Sequence, residues 1–140
     1  MSDSMTIEPA QFAVVGQLTF ELPNMPPDRL SAYGLSGADV KYLTSIMRAF
    51  RRIDDRYTQV RFDIVDTEDI SLRDGRSPEV HIEAHGSELV AVGALRRQVA
   101  AGWADALDFV TSWLGDRELF LRTGFHSGEA RQAIVSLHRS

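Results

Sequence analysis

No cysteine occurs anywhere in the 140 residues. That excludes a disulfide framework, a thiolate nucleophile and any cysteine-ligated zinc or iron–sulfur centre. It also fits a reducing compartment, and the chain is expected in the cytoplasm. No uninterrupted apolar run approaches the ~20 residues that a helix needs to cross a bilayer. Residues 1–9 carry acids at Asp3 and Glu8 but no basic or apolar stretch, so they read as a flexible leader rather than a secretory signal. Repeats and low-complexity segments are missing as well. Charge of one sign is scarce overall: a net −5 argues against a surface that coats nucleic acid.

What is present is the composition of a folded protein, 44% hydrophobic and 25% charged. Residues 10–140 are expected to form a single domain around one core. The run from Gln11 to Leu22 is rich in β-branched and aromatic residues and predicts a first strand, bulged at Gly16. Pro23, Pro26 and Pro27 stop it, and a long loop with Met25, Leu30, Tyr33 and Leu35 comes next. Ser36 and Asp39 resemble a capping box that opens a helix over 37–54. In that helix Val40, Leu43, Ile46, Met47, Phe50 and Ile53 share one side.

Alternation of Val60, Phe62 and Ile64 with Arg61 and Asp63 predicts a strand over 57–65. Ile70 and Leu72 suggest a second short strand, and Val80, Ile82 and Ala84 a third that ends at Gly86. Together these make an antiparallel meander. A further helix starts near Ser87 and is clearest from Ala94 to Leu114, where Gly115 caps it. Within it Gly102 lies beside the apolar face, where a missing side chain permits close backbone approach. Glu118 to Thr123 is read as a last strand, and Ser127 as the cap of a closing helix with Ala130, Ile134 and Leu137 inside.

The expected order is β-α-β-β-β-α-β plus a C-terminal helix. That is an α+β fold with an antiparallel sheet of about four to five strands and two amphipathic helices on one face, a ferredoxin-like (split βαβ) plan.

Three surfaces compete as candidate sites. On the first predicted helix Lys41, Ser45, Arg48 and Arg52 fall within about 60° on the wheel, with Thr44 and Arg51 beside them. Residues 41–56 hold five bases and two acids, so they carry +3 while the rest of the chain carries −8. Lys41, Arg48, Arg51 and Arg52 are therefore candidate partner-binding residues for an acidic surface, set against the bland role in which Arg48, Arg51 and Arg52 complement the negative end of the helix dipole on a solvated face. Phosphate or nucleic acid is an alternative ligand for the same face, disfavoured because no aromatic platform accompanies it. His81, Glu83 and His85 share one strand face and supply the residue types of a zinc or non-haem iron site. Against this, a solvated strand face explains them, and neighbours ~6.5–7 Å apart chelate only in particular rotamers.

Trp103 and Trp113 are expected in the core, though either one, left exposed beside Phe109, would offer an aromatic anchor. Ser36 lacks the second glycine of a nucleophile elbow and is assigned to capping. Two further patterns are weak: the Thr123–Gly128 loop as an anion cradle, and Asp66, Glu68 and Asp69 as a calcium loop. No cofactor is expected. The expected function is a non-catalytic interaction or accessory module, self-associating or docking an acidic protein partner. A small ligand- or metal-binding protein or enzyme built on the histidine strand is the alternative.

Overall fold

The computed structural model describes residues 3–53, 56–66 and 78–139. Among them lie five α-helices and a four-stranded open sheet, a mixed α/β arrangement. In chain order the elements are β1 (Asp3–Ile7), α1 (Pro9–Thr19), a 3-10 turn (Leu22–Asn24), α2 (Pro27–Ser31) and α3 (Gly37–Arg52). Then come β2 (Gln59–Val65), β3 (His81–His85), β4 (Glu88–Arg96), α4 (Arg97–Thr123) and α5 (Ser127–Arg139). Strands run in the order β1-β2-β4-β3, with β2 and β4 parallel and both outer pairs antiparallel. The order is not the ferredoxin-like one.

Four elements differ from the sequence expectation. Residues 3–7, read as a loose leader, form an edge strand that sets Met5 opposite Phe62 and Ile7 opposite Val60. The predicted first strand is instead helix α1. Its Phe12, Val14, Val15, Leu18 and Thr19 are all buried, so it is wrapped by protein nearly all round and lacks the one-sided pattern that marks a surface helix. Residues 88–96, assigned to a helix, form the central strand β4. Its Val90 and Val92 are buried on one face and Ala91 and Leu95 on the other, which erases alternation. Glu118–Thr123 continues as helix beyond Gly115, whose φ of +75° breaks α4 at the expected capping position. The predicted strand at Ile70 and Leu72 lies outside the described residues.

The helix over 37–54 is present as α3, and both halves of its capping box form: Asp39 N donates to Ser36 Oγ and Ser36 N to Asp39 Oδ2. The core centres on four rings. Phe12 and Phe50 pack at 5.0 Å, Phe50 and Phe62 at 5.2 Å, and Phe62 and Trp103 at 5.3 Å, all edge to face. Gly93 of β4 lets α3 settle on the sheet, since a Cβ there would meet Ile46 Cδ1 at 2.9 Å. Gly102 of α4 takes the role expected of it: a Cβ there would lie 2.0 Å from the Tyr33 carbonyl oxygen. That contact fixes the segment between α2 and α3. Arg97 ties the start of β1 to the end of β2 by reaching Asp3 at 2.6 Å and Asp66 at 2.7 Å. Its guanidinium holds the Asp66 carboxyl below the usual range.

Candidate functional site

Helix α3 starts where Ser36 and Asp39 satisfy its first amides, and Asp39 also pairs with Arg96 at the end of β4. This anchors the helix end against the sheet and decides which flank faces out. Gly37, Val40, Lys41 and Thr44 then line a cavity of about 650 Å³. Its other wall is Leu22, Pro23, Met25, Pro27, Leu30 and Leu35, from the stretch read mainly as a long loop with a short helical turn after Pro27, the turn that α2 forms. The floor is apolar, and charged groups stand only at the rim: Lys41 on α3 and Asp28 on α2. Such a volume is in the range of small-ligand pockets.

One turn further along, Arg48 and Arg51 lie over the ring of Phe20, at 5.6 and 4.4 Å from its centroid. A stacked guanidinium is held in place and stays charged. Beyond Phe20 a second cavity of about 280 Å³ opens between α1 and α3, lined by Phe12, Gly16, Met47, Phe50, Arg51 and Tyr57 among others. Val40 and Met47, one in each cavity wall, are seven residues apart, so the two hollows are offset by ~10 Å along the helix. Of the four bases expected to face one way, Lys41 and Arg51 line these hollows, Arg48 lies over Phe20, and Arg52 is exposed at the end of the helix. Thr44, expected on the solvated side, is buried, and its hydroxyl donates to the Lys41 carbonyl at 3.0 Å.

On the sheet face opposite Phe62 the histidine strand forms a network around one carboxylate. His81 Nε2 is 2.9 Å from one oxygen of Glu83, and His85 Nε2 is 3.0 Å from the other. Arg61 reaches across β4 and donates to both oxygens at 3.1 Å, and its Nε donates to Asp63 at 2.9 Å. The two imidazoles, aided by Arg61 and opposed by partial desolvation, pull the Glu83 carboxyl down to about 2. The three side chains thus share one face as expected, but a guanidinium and two ring nitrogens already fill the coordinating positions of Glu83. Among the described residues no group of three or more His, Asp or Glu is disposed to hold a metal ion.

The two tryptophans part company. Trp103 is fully buried and donates to Thr19 Oγ1 at 3.1 Å, whereas Trp113 is 50% exposed and packs on Phe109 at 5.5 Å. Arg29 lies over the other side of this group, 5.6 Å from the Phe109 centroid. In the 123–128 loop the His126 amide donates to Glu129 in the first turn of α5, so the segment is used as a helix start with Ser127 as its first residue rather than its cap. No helix among the described residues is long and apolar enough to cross a membrane. No known protein family, curated protein or solved structure matches this chain.

Proposed function

We propose that this protein is a non-catalytic docking module that takes an acidic segment of a partner protein across the outer flank of α3. The observation that carries the reading is the placement of Lys41 at an apolar hollow and Arg51 at a smaller hollow of mixed lining, with Arg48 and Arg51 over Phe20, which lines the smaller one. The partner's apolar side chains enter the hollows and its carboxylates meet the three bases. Anchors ~10 Å apart correspond to side chains seven apart on a helix or, less closely, four apart (~13 Å) on an extended strand, where residues three apart point to opposite faces. Specificity for acid comes from charge: residues 41–56 carry +3 against −8 elsewhere. The module's own surface repels an acidic chain everywhere except here. Burial of the anchors supplies the affinity, and the exposed bases supply steering and register.

The test uses labelled acidic peptides carrying two leucines at either spacing, with leucine-to-alanine versions as controls, read by fluorescence anisotropy. The leucine peptides are expected to bind more tightly than the controls. Reversing the charges with Lys41→Glu, Arg48→Glu and Arg51→Glu together weakens them by roughly 10- to 100-fold, from about 0.5–0.9 kcal/mol per lost pair. Gly37→Leu blocks the larger hollow, since nothing lies within 4 Å of a Cβ at that position. Equal binding of leucine and alanine peptides, or an unaltered affinity in the triple reversal, refutes the proposal.

A further inference from the structure

β3 closes one side of the sheet, and among the described residues no strand pairs with its outer edge. Exposed edges normally carry a lysine, a proline or a bulge that discourages pairing. Residues 81–85 carry none of these. Ile82, on the face that α3 covers further in, is 36% exposed. Its register partner on β4 is the fully buried Ala91. Among the described residues, the apolar layer therefore runs out to the edge without a cover.

The sequence of this edge, Glu79-Val80-His81-Ile82-Glu83-Ala84-His85, has two alternations at once. Acid and imidazole take turns on one face, and Val80, Ile82 and Ala84 occupy the other. Two identical strands that pair antiparallel about a two-fold axis must match residue i to j and j to i. With the axis through Ile82, His81 faces the second copy's Glu83 and Glu83 its His81. Glu79 and His85 pair likewise, Val80 meets Ala84, and the two Ile82 side chains meet on the axis. Moving the axis to Glu83 sets carboxylate against carboxylate and imidazole against imidazole, which is unfavourable for directly opposed pairs. An axis through Ala84 also opposes Glu83 and His85 but pairs fewer residues of this edge, so the Ile82 register is preferred. Each imidazole already touches its own Glu83 through Nε2, so the pairs across the seam act through opposed charge rather than a new hydrogen bond to Glu83, and Arg61 offsets the charge of Glu83 beneath.

From this self-complementarity we infer that the chain forms a two-fold dimer through β3, joining two four-stranded sheets into one of eight. The occupant of the edge is a second copy of the same chain. A seam of about seven residues a side is small for an interface, so the dimer dissociates in the micromolar range or above. It uses none of the residues of the α3 flank, and it stands or falls independently of the docking role.

Sedimentation equilibrium of the full chain, at up to roughly 1 mM, tests it. A reversible monomer–dimer equilibrium is expected. Ile82→Lys, which sets two ammonium groups on the axis, abolishes dimerisation. His81→Glu, which sets a carboxylate opposite the second copy's Glu83, weakens it by about tenfold. The double variant His81→Glu/Glu83→His reinstates opposite charges and recovers most of that loss. Circular dichroism melts of the variants, taken at dilution, show that the monomer still folds. A wild-type chain that stays monomeric throughout, a dimer indifferent to Ile82→Lys, or a double variant no better than the single one would each overturn the inference.

Discussion

Gly102→Ala puts one methyl group against the contact that positions the larger hollow. The added Cβ would sit 2.0 Å from the Tyr33 carbonyl oxygen and 3.2 Å from the Tyr33 carbonyl carbon. A flexible side-chain end can step aside from such a clash, but a backbone carbonyl moves only with its segment. Helix propensity favours alanine by about 1 kcal/mol. Overpacking a tight site costs about 1–3 kcal/mol, and more when backbone must shift. Taking the upper end for the clash, the variant loses about 2 kcal/mol net, or a melting temperature lower by roughly 8 °C for a chain of this length. The displaced segment includes Leu30 and Leu35, which wall the hollow, so peptide affinity falls beyond what the stability loss alone explains. Gly37→Ala is the control, because its Cβ would meet nothing within 4 Å. Thermal melts and anisotropy titrations on both variants decide the matter. A Gly102→Ala protein at least as stable as wild type would show that helix propensity outweighs the contact, and the argument from close approach would fail.

Buried and networked groups give two further expectations. Trp103→Phe removes the donor to Thr19 Oγ1 and leaves a void in the ring cluster. A loss of about 2–3 kcal/mol in urea unfolding is expected, and a change under about 1 kcal/mol would contradict the assigned packing. Glu83 is held at about 2 against an ordinary 4.5, so its stabilising contribution is complete above pH 4.5 and disappears as the pH falls towards 2. Glu83→Gln is expected to remove that part of the acid slope in a pH series of melts, and a slope identical to wild type would refute the network around Glu83.

How far the sequence spoke depended on how each element is buried. α3, β2 and β3 are half-buried, and their periods of 3.6 and 2 put the right residues on the right faces. α1 and β4 are enclosed, and enclosure removes the period: Val14, Val15 and Leu18 read as a strand, Leu89 to Leu95 as the start of a helix. For α1 a signal was nevertheless available. Pro9 stands at the first helical position, and an apolar stretch of eleven residues is long for a strand. For β4 the parallel pairing to β2 joins residues far apart in the chain, Gln59 with Val90 and Val65 with Arg96, which no local window contains. Gly115 was legible as a helix end but not as a break with helix on both sides. A glycine at positive φ marks the turn and leaves the conformation beyond it open.

The basic stripe was legible for the same reason as α3 itself, because helical geometry alone brings Lys41, Arg48 and Arg51 to one side. The hollows were not. A hollow exists where two packed segments fail to touch, and that depends on the path of residues 22–35, which no periodicity describes. Thr44 marks the difference. By the wheel it belongs with the solvated bases. In the fold it is buried in the wall of the larger hollow because the 3-10 turn and α2 rise beside α3. The exposed surface of the helix is accordingly narrower than its polar arc, and its three bases lie against apolar groups rather than standing in open water. A charge beside an apolar hollow is poorly explained as a solvated face completing a helix dipole, since Lys41 lies in the first half of the helix, where the dipole disfavours a cation. The proposed docking role gives that position a use: a partner's carboxylate would meet Lys41 at the rim while an apolar side chain enters the hollow beneath.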